Sequence, residues 1–192
     1  MTRLFIIGAL LVAACNKSDP RCAPAAPSTV ELRDGAGALL LADKNGALCD
    51  PQHKAVGAVE VTPDAVILKD AGGSPRLILK ATAPDNTAAG SDGQGAVRVR
   101  LYRDAVQARV LRPDGVPIGS MVRNGDGARI YDPSSSPIMA VEPRDRDLVL
   151  RDSEGVVRNF VVPGKDARAA GVFSMNSLDR AEQLAIYLFW SR

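Results

Sequence analysis

Asp179-Arg180-Ala181-Glu182-Gln183-Leu184-Ala185-Ile186-Tyr187-Leu188-Phe189-Trp190 is the stretch on which the fold turns. Asn176 or Ser177 just ahead of it can cap a helix, and Asp179 and Glu182 stand where acids favour a first turn. Leu178, Ala181, Leu184, Ala185 and Leu188 share one helical face, while Ile186, Tyr187, Phe189 and Trp190 cover the others. From Leu184 to Trp190 the segment is apolar all round, which demands burial on every side. It is too short to cross a bilayer. A run of this length also suits a buried strand; the acidic cap and alanine-containing start favour a helix near 176–191.

Everything upstream reads differently. Val97-Arg98-Val99-Arg100-Leu101 alternates with period 2, and Ala128-Arg129-Ile130-Tyr131 and Leu148-Val149-Leu150-Arg151 do so over shorter spans. Between such runs stand Asp34-Gly35, Asn45-Gly46, Gly72-Gly73, Pro113-Asp114-Gly115, Asn124-Gly125-Asp126-Gly127 and Glu154-Gly155, residue types that supply the positive φ of tight turns. The pattern predicts about 12 short antiparallel strands, near 30–33, 37–42, 56–61, 65–69, 76–81, 96–102, 106–111, 117–122, 128–131, 137–142, 148–151 and 156–162. A weak repeat overlies them. Leu32-Arg33-Asp34, Leu68-Lys69-Asp70, Leu111-Arg112-Pro113 and Leu150-Arg151-Asp152 each end a strand, at spacings of 36, 43 and 39 residues. The stretch 83–95 reads as a flexible loop between two halves of similar strand content.

A dozen short strands followed by one wholly apolar helix resembles the tubby-like architecture shared by tubby, phospholipid scramblase and LURP-one-related proteins. The likeness covers about residues 30–192, and rests on the element pattern, on Arg112-Pro113-Asp114-Gly115-Val116-Pro117-Ile118-Gly119, and on the 179–188 segment. It implies a mainly β fold: a closed antiparallel barrel around a buried C-terminal helix, with no sheet edge to protect. A β-sandwich with the helix on one face is the alternative.

The N-terminus supplies an address. Met1-Thr2-Arg3 is followed by the apolar run Leu4 to Val12, which suits a secretion signal and is too short to span a membrane. Val12-Ala13-Ala14-Cys15 resembles the lipobox of bacterial lipoproteins. That resemblance implies cleavage of residues 1–14, lipid attached to Cys15 and a protein held on the cell envelope. Two or three acyl chains anchor stably, at about 0.8 kcal/mol per buried methylene. Asn16 rather than Asp follows the cysteine, which by the enterobacterial sorting rule favours the outer over the inner membrane. Residues 15–29 read as a Pro/Ala-rich tether, extended and weakly structured. Cys22 and Cys49 then form a candidate disulfide, closing a loop of about 28 residues and contributing roughly 3–4 kcal/mol through lost chain entropy. Spacing cannot supply the required geometry, and two free thiols or pairing in trans stay open.

Composition narrows the function classes. The 192 residues are 46% apolar and 24% charged, enough for one globular domain with a real core. A net charge of +2, from 24 basic and 22 acidic side chains interleaved along the chain, leaves no polycationic arm for nucleic acid. Aromatics make up 4%, too few for a stacking platform. His53 is the only histidine and lies in a polar loop, so zinc or triad chemistry would hang on one imidazole. No nucleophile elbow, Walker loop or Cys-x-x-Cys spacing occurs. The segments 124–127 and 85–92 lack the ligand series of a calcium loop and read as a turn and a solvated loop. Asp145, Asp147, Asp152 and Glu154, interleaved with Arg144, Arg146 and Arg151, read as solvated ion pairs, and Ser134-Ser135-Ser136 as a turn. The expectation is a non-enzymatic interaction module without catalytic residues, metal or cofactor, anchored by lipid and meeting another envelope protein. The alternative is a domain that binds phospholipid or other anionic lipid, with Arg98, Arg100, Arg103, Arg109 and Arg112 as a basic stripe.

Overall fold

The computed structural model describes residues 19–82 and 86–192. Cys15, the lipobox and the signal segment lie outside the described residues. Among those described, fourteen strands form a closed wall: β1 (Val30–Asp34), β2 (Leu39–Lys44), β3 (Ala47–Cys49), β4 (Ala55–Val61), β5 (Ala65–Asp70), β6 (Pro75–Thr82), β7 (Thr87–Ser91), β8 (Val97–Arg103), β9 (Gln107–Leu111), β10 (Pro117–Asn124), β11 (Gly127–Tyr131), β12 (Pro137–Arg144), β13 (Asp147–Asp152) and β14 (Val157–Val162). Each pairs antiparallel with its neighbours in sequence, and β14 closes on β1 with Glu31 opposite Val162 and Asp34 opposite Asn159.

The twelve expected strands are present, and two more join them. β3 has three residues, too few to show a period. β7 occupies part of the expected 83–95 loop with Thr87-Ala88-Ala89-Gly90-Ser91, a sequence without β-branched aliphatic or aromatic residues. Its inward positions are small because the interior there is full. A Cβ on Gly90 would fall 2.5 Å from Val99 Cγ1 and 2.9 Å from Leu77 Cδ1.

The repeat has a shorter period than the leucines suggest. Asp34, Asp50, Asp70, Asp92, Arg112, Asp132 and Asp152 head seven equivalent turns, spaced 16, 20, 22, 20, 20 and 20 residues apart. In each, the backbone N–H of the head donates to the carbonyl four residues on, and its carbonyl accepts from the N–H three residues on. The fourth residue of every turn has positive φ: Gly37, His53, Gly73, Gly95, Gly115, Ser135 and Gly155. This is the turn that joins two strands through a left-handed residue. After each turn the pairing slips by one, leaving Leu40, Val56, Arg76, Arg98, Ile118, Ile138 and Arg158 as bulge residues. All seven turns and bulges fall at one end of the barrel, its bulged mouth.

A barrel this wide needs filling. The chain after β14 turns inward as α1 (Ala167–Ala170), a 3-10 turn (Gly171–Ser174) and α2 (Arg180–Trp190). α1 lies against β9 to β13 and α2 against β4 to β6. Leu184, Ile186 and Tyr187 are fully buried. Gly171 sits where a Cβ would come 2.3 Å from Met121 Cγ, so the plug touches the wall through a glycine. The helix cap is Asp179, not Asn176 or Ser177, and the helix is correspondingly shorter than 176–191. Asp179 accepts from the N–H groups of Ala181 and Glu182, both at 2.9 Å, and Glu182 accepts from the Asp179 N–H at 3.1 Å. That reciprocal box satisfies more orphan donors than a single serine or asparagine could.

Part of the segment read as a tether is held against the wall. Pro20–Cys22 forms a 3-10 turn, Cys22 is buried, and a disulfide joins it to Cys49 on the outer side of β3. Lys44 Nζ donates to the Ala23 carbonyl at 2.9 Å. Among the described residues no helix is long and apolar enough to cross a membrane. The outer wall carries exposed charges at Glu60, Lys80, Arg100, Arg109 and Arg129, whereas a membrane-spanning barrel carries an apolar band there.

Candidate functional site

A hollow opens at the bulged mouth, where the connector between the 3-10 turn and α2 crosses the ends of β8 to β12. Its volume is about 670 Å³, and Arg98, Arg112, Ile118, Ile138, Met175 and Leu178 line it. Leu77, Val99 and Ile130, which belong to the core, form its floor. The connector is fixed from below. Gln183, buried in α2, donates through Nε2 to the carbonyls of Met175 at 2.9 Å and Leu178 at 3.2 Å. Arg180 bridges the Phe173 carbonyl and Gln183 Oε1, both at 3.0 Å. Burial lowers the Arg180 pKa, though an arginine remains charged.

Four charged side chains line this mouth: Arg98, Arg112, Asp132 and Glu182. Neither Arg98 nor Arg112 has a side-chain partner among the described residues. The two carboxylates have hydrogen-bond donors of their own. Asp132 accepts from the Ser134 hydroxyl at 2.7 Å and the Ser136 N–H at 2.9 Å, bonds that hold its pKa below the usual carboxylate value. Glu182 belongs to the capping box of α2. The hollow is thus apolar, and its rim carries two hydrogen-bonded carboxylates and two guanidinium groups without a side-chain partner among the described residues.

The five arginines proposed as a stripe do not form one. Arg100 and Arg109 stand on the outer wall, where Arg100 donates to the Pro113 carbonyl at 2.9 Å and Arg109 to Gln107 Oε1 at 2.9 Å. Arg103 lies at the far end, ion-paired with Asp166 and donating to the Trp190 carbonyl. Arg100 and Arg109 line a separate hollow of about 550 Å³ on the outer wall, whereas Arg98 and Arg112 meet at the mouth hollow. The sequence marked both residues but not their setting, because the bulge that places Arg98 on the mouth is a feature of pairing.

The remaining candidates have structural places. His53 occupies the left-handed position of the Asp50 turn, with φ of 61°. The 124–127 segment is the β10–β11 hairpin, and Ser135 fills the left-handed place in the Asp132 turn. Asp152 pairs with Arg158 and Glu142 with Arg151. Among the described residues no three His, Cys, Asp or Glu side chains converge as a metal site.

Fold and site together define a closed antiparallel barrel with a helical plug and an apolar mouth rimmed by two arginines and two carboxylates. No protein-family profile matches the chain, and no curated protein sequence does. Among solved structures it is similar to the X-ray structure of a protein from Arabidopsis thaliana, with a TM-score of 0.43 and 13% sequence identity. That likeness covers 71% of this chain and 90% of the plant chain.

Proposed function

We propose that the protein is a lipid-anchored bacterial envelope protein, bound through Cys15 to the outer membrane, whose barrel is a non-enzymatic binding module. The observation that carries this reading is the Cys22–Cys49 disulfide. A bridged pair suits an oxidising compartment outside the cytoplasm. It also fixes the chain to the wall seven residues after Cys15, a span of roughly 25 Å at full extension. A lipid on Cys15 would therefore hold the barrel close to the bilayer, where another envelope protein could dock.

The test is the intact mass of protein extracted from membranes, beside a Cys15→Ser control, before and after thiol alkylation. The expected species begins at Cys15, carries acyl mass that the control lacks, and takes up no alkylating agent until reduced. A full-length chain without added mass would overturn the anchor.

A second reading has one observation in its favour. Arg98 and Arg112 stand at the mouth without a side-chain partner among the described residues, and a barrel resembling the tubby-like domains could use them to meet anionic lipid headgroups at a bilayer surface.

A further inference from the structure

We propose that the mouth cavity holds a single-chain anionic amphiphile, with its carboxylate or phosphate head on Arg98 and Arg112 and its apolar chain along Ile118, Ile138, Met175 and Leu178 toward the core. This rests on the site of the second reading above, but asks for one slender molecule taken into the barrel rather than a bilayer surface.

The sevenfold repeat carries the argument, because it shows what each position would hold if only the fold mattered. Six of the seven turns are headed by Asp, whose carboxylate accepts turn N–H groups; Asp34, Asp92 and Asp152 each take two. The fifth turn is headed by Arg112, and a neighbour, Asp114, accepts the Val116 N–H at 3.1 Å instead. A residue that breaks a local rule without a structural gain points to a functional or a strained position, and the Arg112 turn keeps the backbone bonds and left-handed glycine of the other six. The bulge positions tell the same story. Arg76 pairs with Asp179 and Arg158 with Asp152, while Arg98 pairs with nothing among the described residues. Both exceptions fall in consecutive hairpins and line the same hollow.

The chemistry follows from what surrounds them. Two guanidinium forks match a planar carboxylate or a phosphate and cannot be neutralised at any ordinary pH. The volume lies within the range of small-ligand sites, and the connector that carries Met175 and Leu178 is held through its backbone carbonyls by Gln183. A short polar anion would leave the apolar lining empty, and a neutral chain would leave the arginines unmatched.

Isothermal titration of the full chain carrying Cys15→Ser tests the assignment, with dodecanoate and dodecyl phosphate below their micelle concentrations. Dodecanol, inorganic phosphate and phosphatidylglycerol vesicles form the other arms. One-to-one saturable binding is expected for both anionic amphiphiles. It should weaken about tenfold or more in the double variant Arg98→Gln/Arg112→Gln, and stay unchanged in Arg109→Gln. Absence of saturable binding, equal binding by the double variant, or equal binding of dodecanol or inorganic phosphate would each overturn it. Vesicle binding without monomer binding would also overturn it, while leaving the second reading standing; loss of both removes both. A photoreactive dodecanoate gives an independent measure on the unaltered arginines. Labelling of peptides that contain Ile118, Ile138 or Met175–Leu178 is expected, and labelling confined elsewhere would sink the proposal.

Discussion

Asp104 shows how much a single side chain does at the end of the barrel opposite the mouth. Its Oδ1 accepts from the N–H groups of Val106 and Gln107, both at 2.7 Å, and its Oδ2 accepts from the Tyr102 hydroxyl at 2.9 Å. Its carbonyl receives Arg168 Nη1 at 2.6 Å, linking the β8–β9 turn to the plug. The two backbone N–H groups and the phenol favour the ionised form and bring the carboxyl pKa down to about 2. The sign follows from linkage. A group whose pKa is depressed on folding contributes its full stability above the unfolded value of about 3.9, and loses it as pH falls through the folded value. Asp104→Asn is therefore expected to flatten the fall in stability between about pH 4 and pH 2. Urea unfolding of both proteins across that range reads the difference; parallel curves would show that the charge on Asp104 adds nothing to the fold.

The hairpin is the element in which sequence and structure are best compared. Alternation revealed twelve of the fourteen strands, because each of them turns at least one buried Val, Leu, Ile or Met inward between outward-facing neighbours. β3 and β7 escaped because one is too short and the other is built from small residues that make room for Leu77, Leu79 and Val99. The doubled period has an equally local cause. Leucine followed by a basic residue ends the β1 and β5 hairpin arms and that of β13, while the arms between use Leu48-Cys49, Gly90-Ser91 and Ile130-Tyr131. Leu111 is one residue out of frame, since Val110 is the buried counterpart of Leu32. The cavity stayed hidden for the same reason: bulge and turn equivalence exist only in the register. That equivalence yields a prediction. Arg112→Asp restores the repeat's own turn head and should stabilise the barrel slightly, by about 0.5–1 kcal/mol, while abolishing amphiphile binding. Thermal melts and the titration above measure the two effects together. A destabilised variant would mean that the fifth turn is built on a different principle from the other six.

At the scale of the whole molecule, wall and plug depend on each other. Closure pairs β1 with β14, so the wall is complete only once both ends of the 30–162 segment have met. Such a wall encloses more space than its own inward side chains fill, and several of these are small: Ala88, Ala108 and Ala128. The plug supplies the missing volume with Phe173, Leu184, Ile186 and Tyr187, and the rings of Phe173 and Tyr187 pack with centroids 5.4 Å apart. Its far end is fastened too. The Lys165 N–H donates to the Tyr187 hydroxyl at 2.9 Å, and Arg192 lies over the Phe189 ring while donating to the Thr62 carbonyl at 3.0 Å. The helix that is apolar on every side is thus stable only inside the barrel, and the barrel is packed only around the helix. Removing residues 177–192 should cost far more than the 2–5 kcal/mol typical of one buried leucine, because it opens a void lined by the inward faces of β4, β5 and β6. The truncated chain is expected to aggregate and to show no cooperative melt, and Leu184→Ala to melt cooperatively at a lower temperature. A soluble truncated domain with a sharp transition would show instead that the seven hairpins close on their own, and that the plug is an addition to a barrel already stable without it.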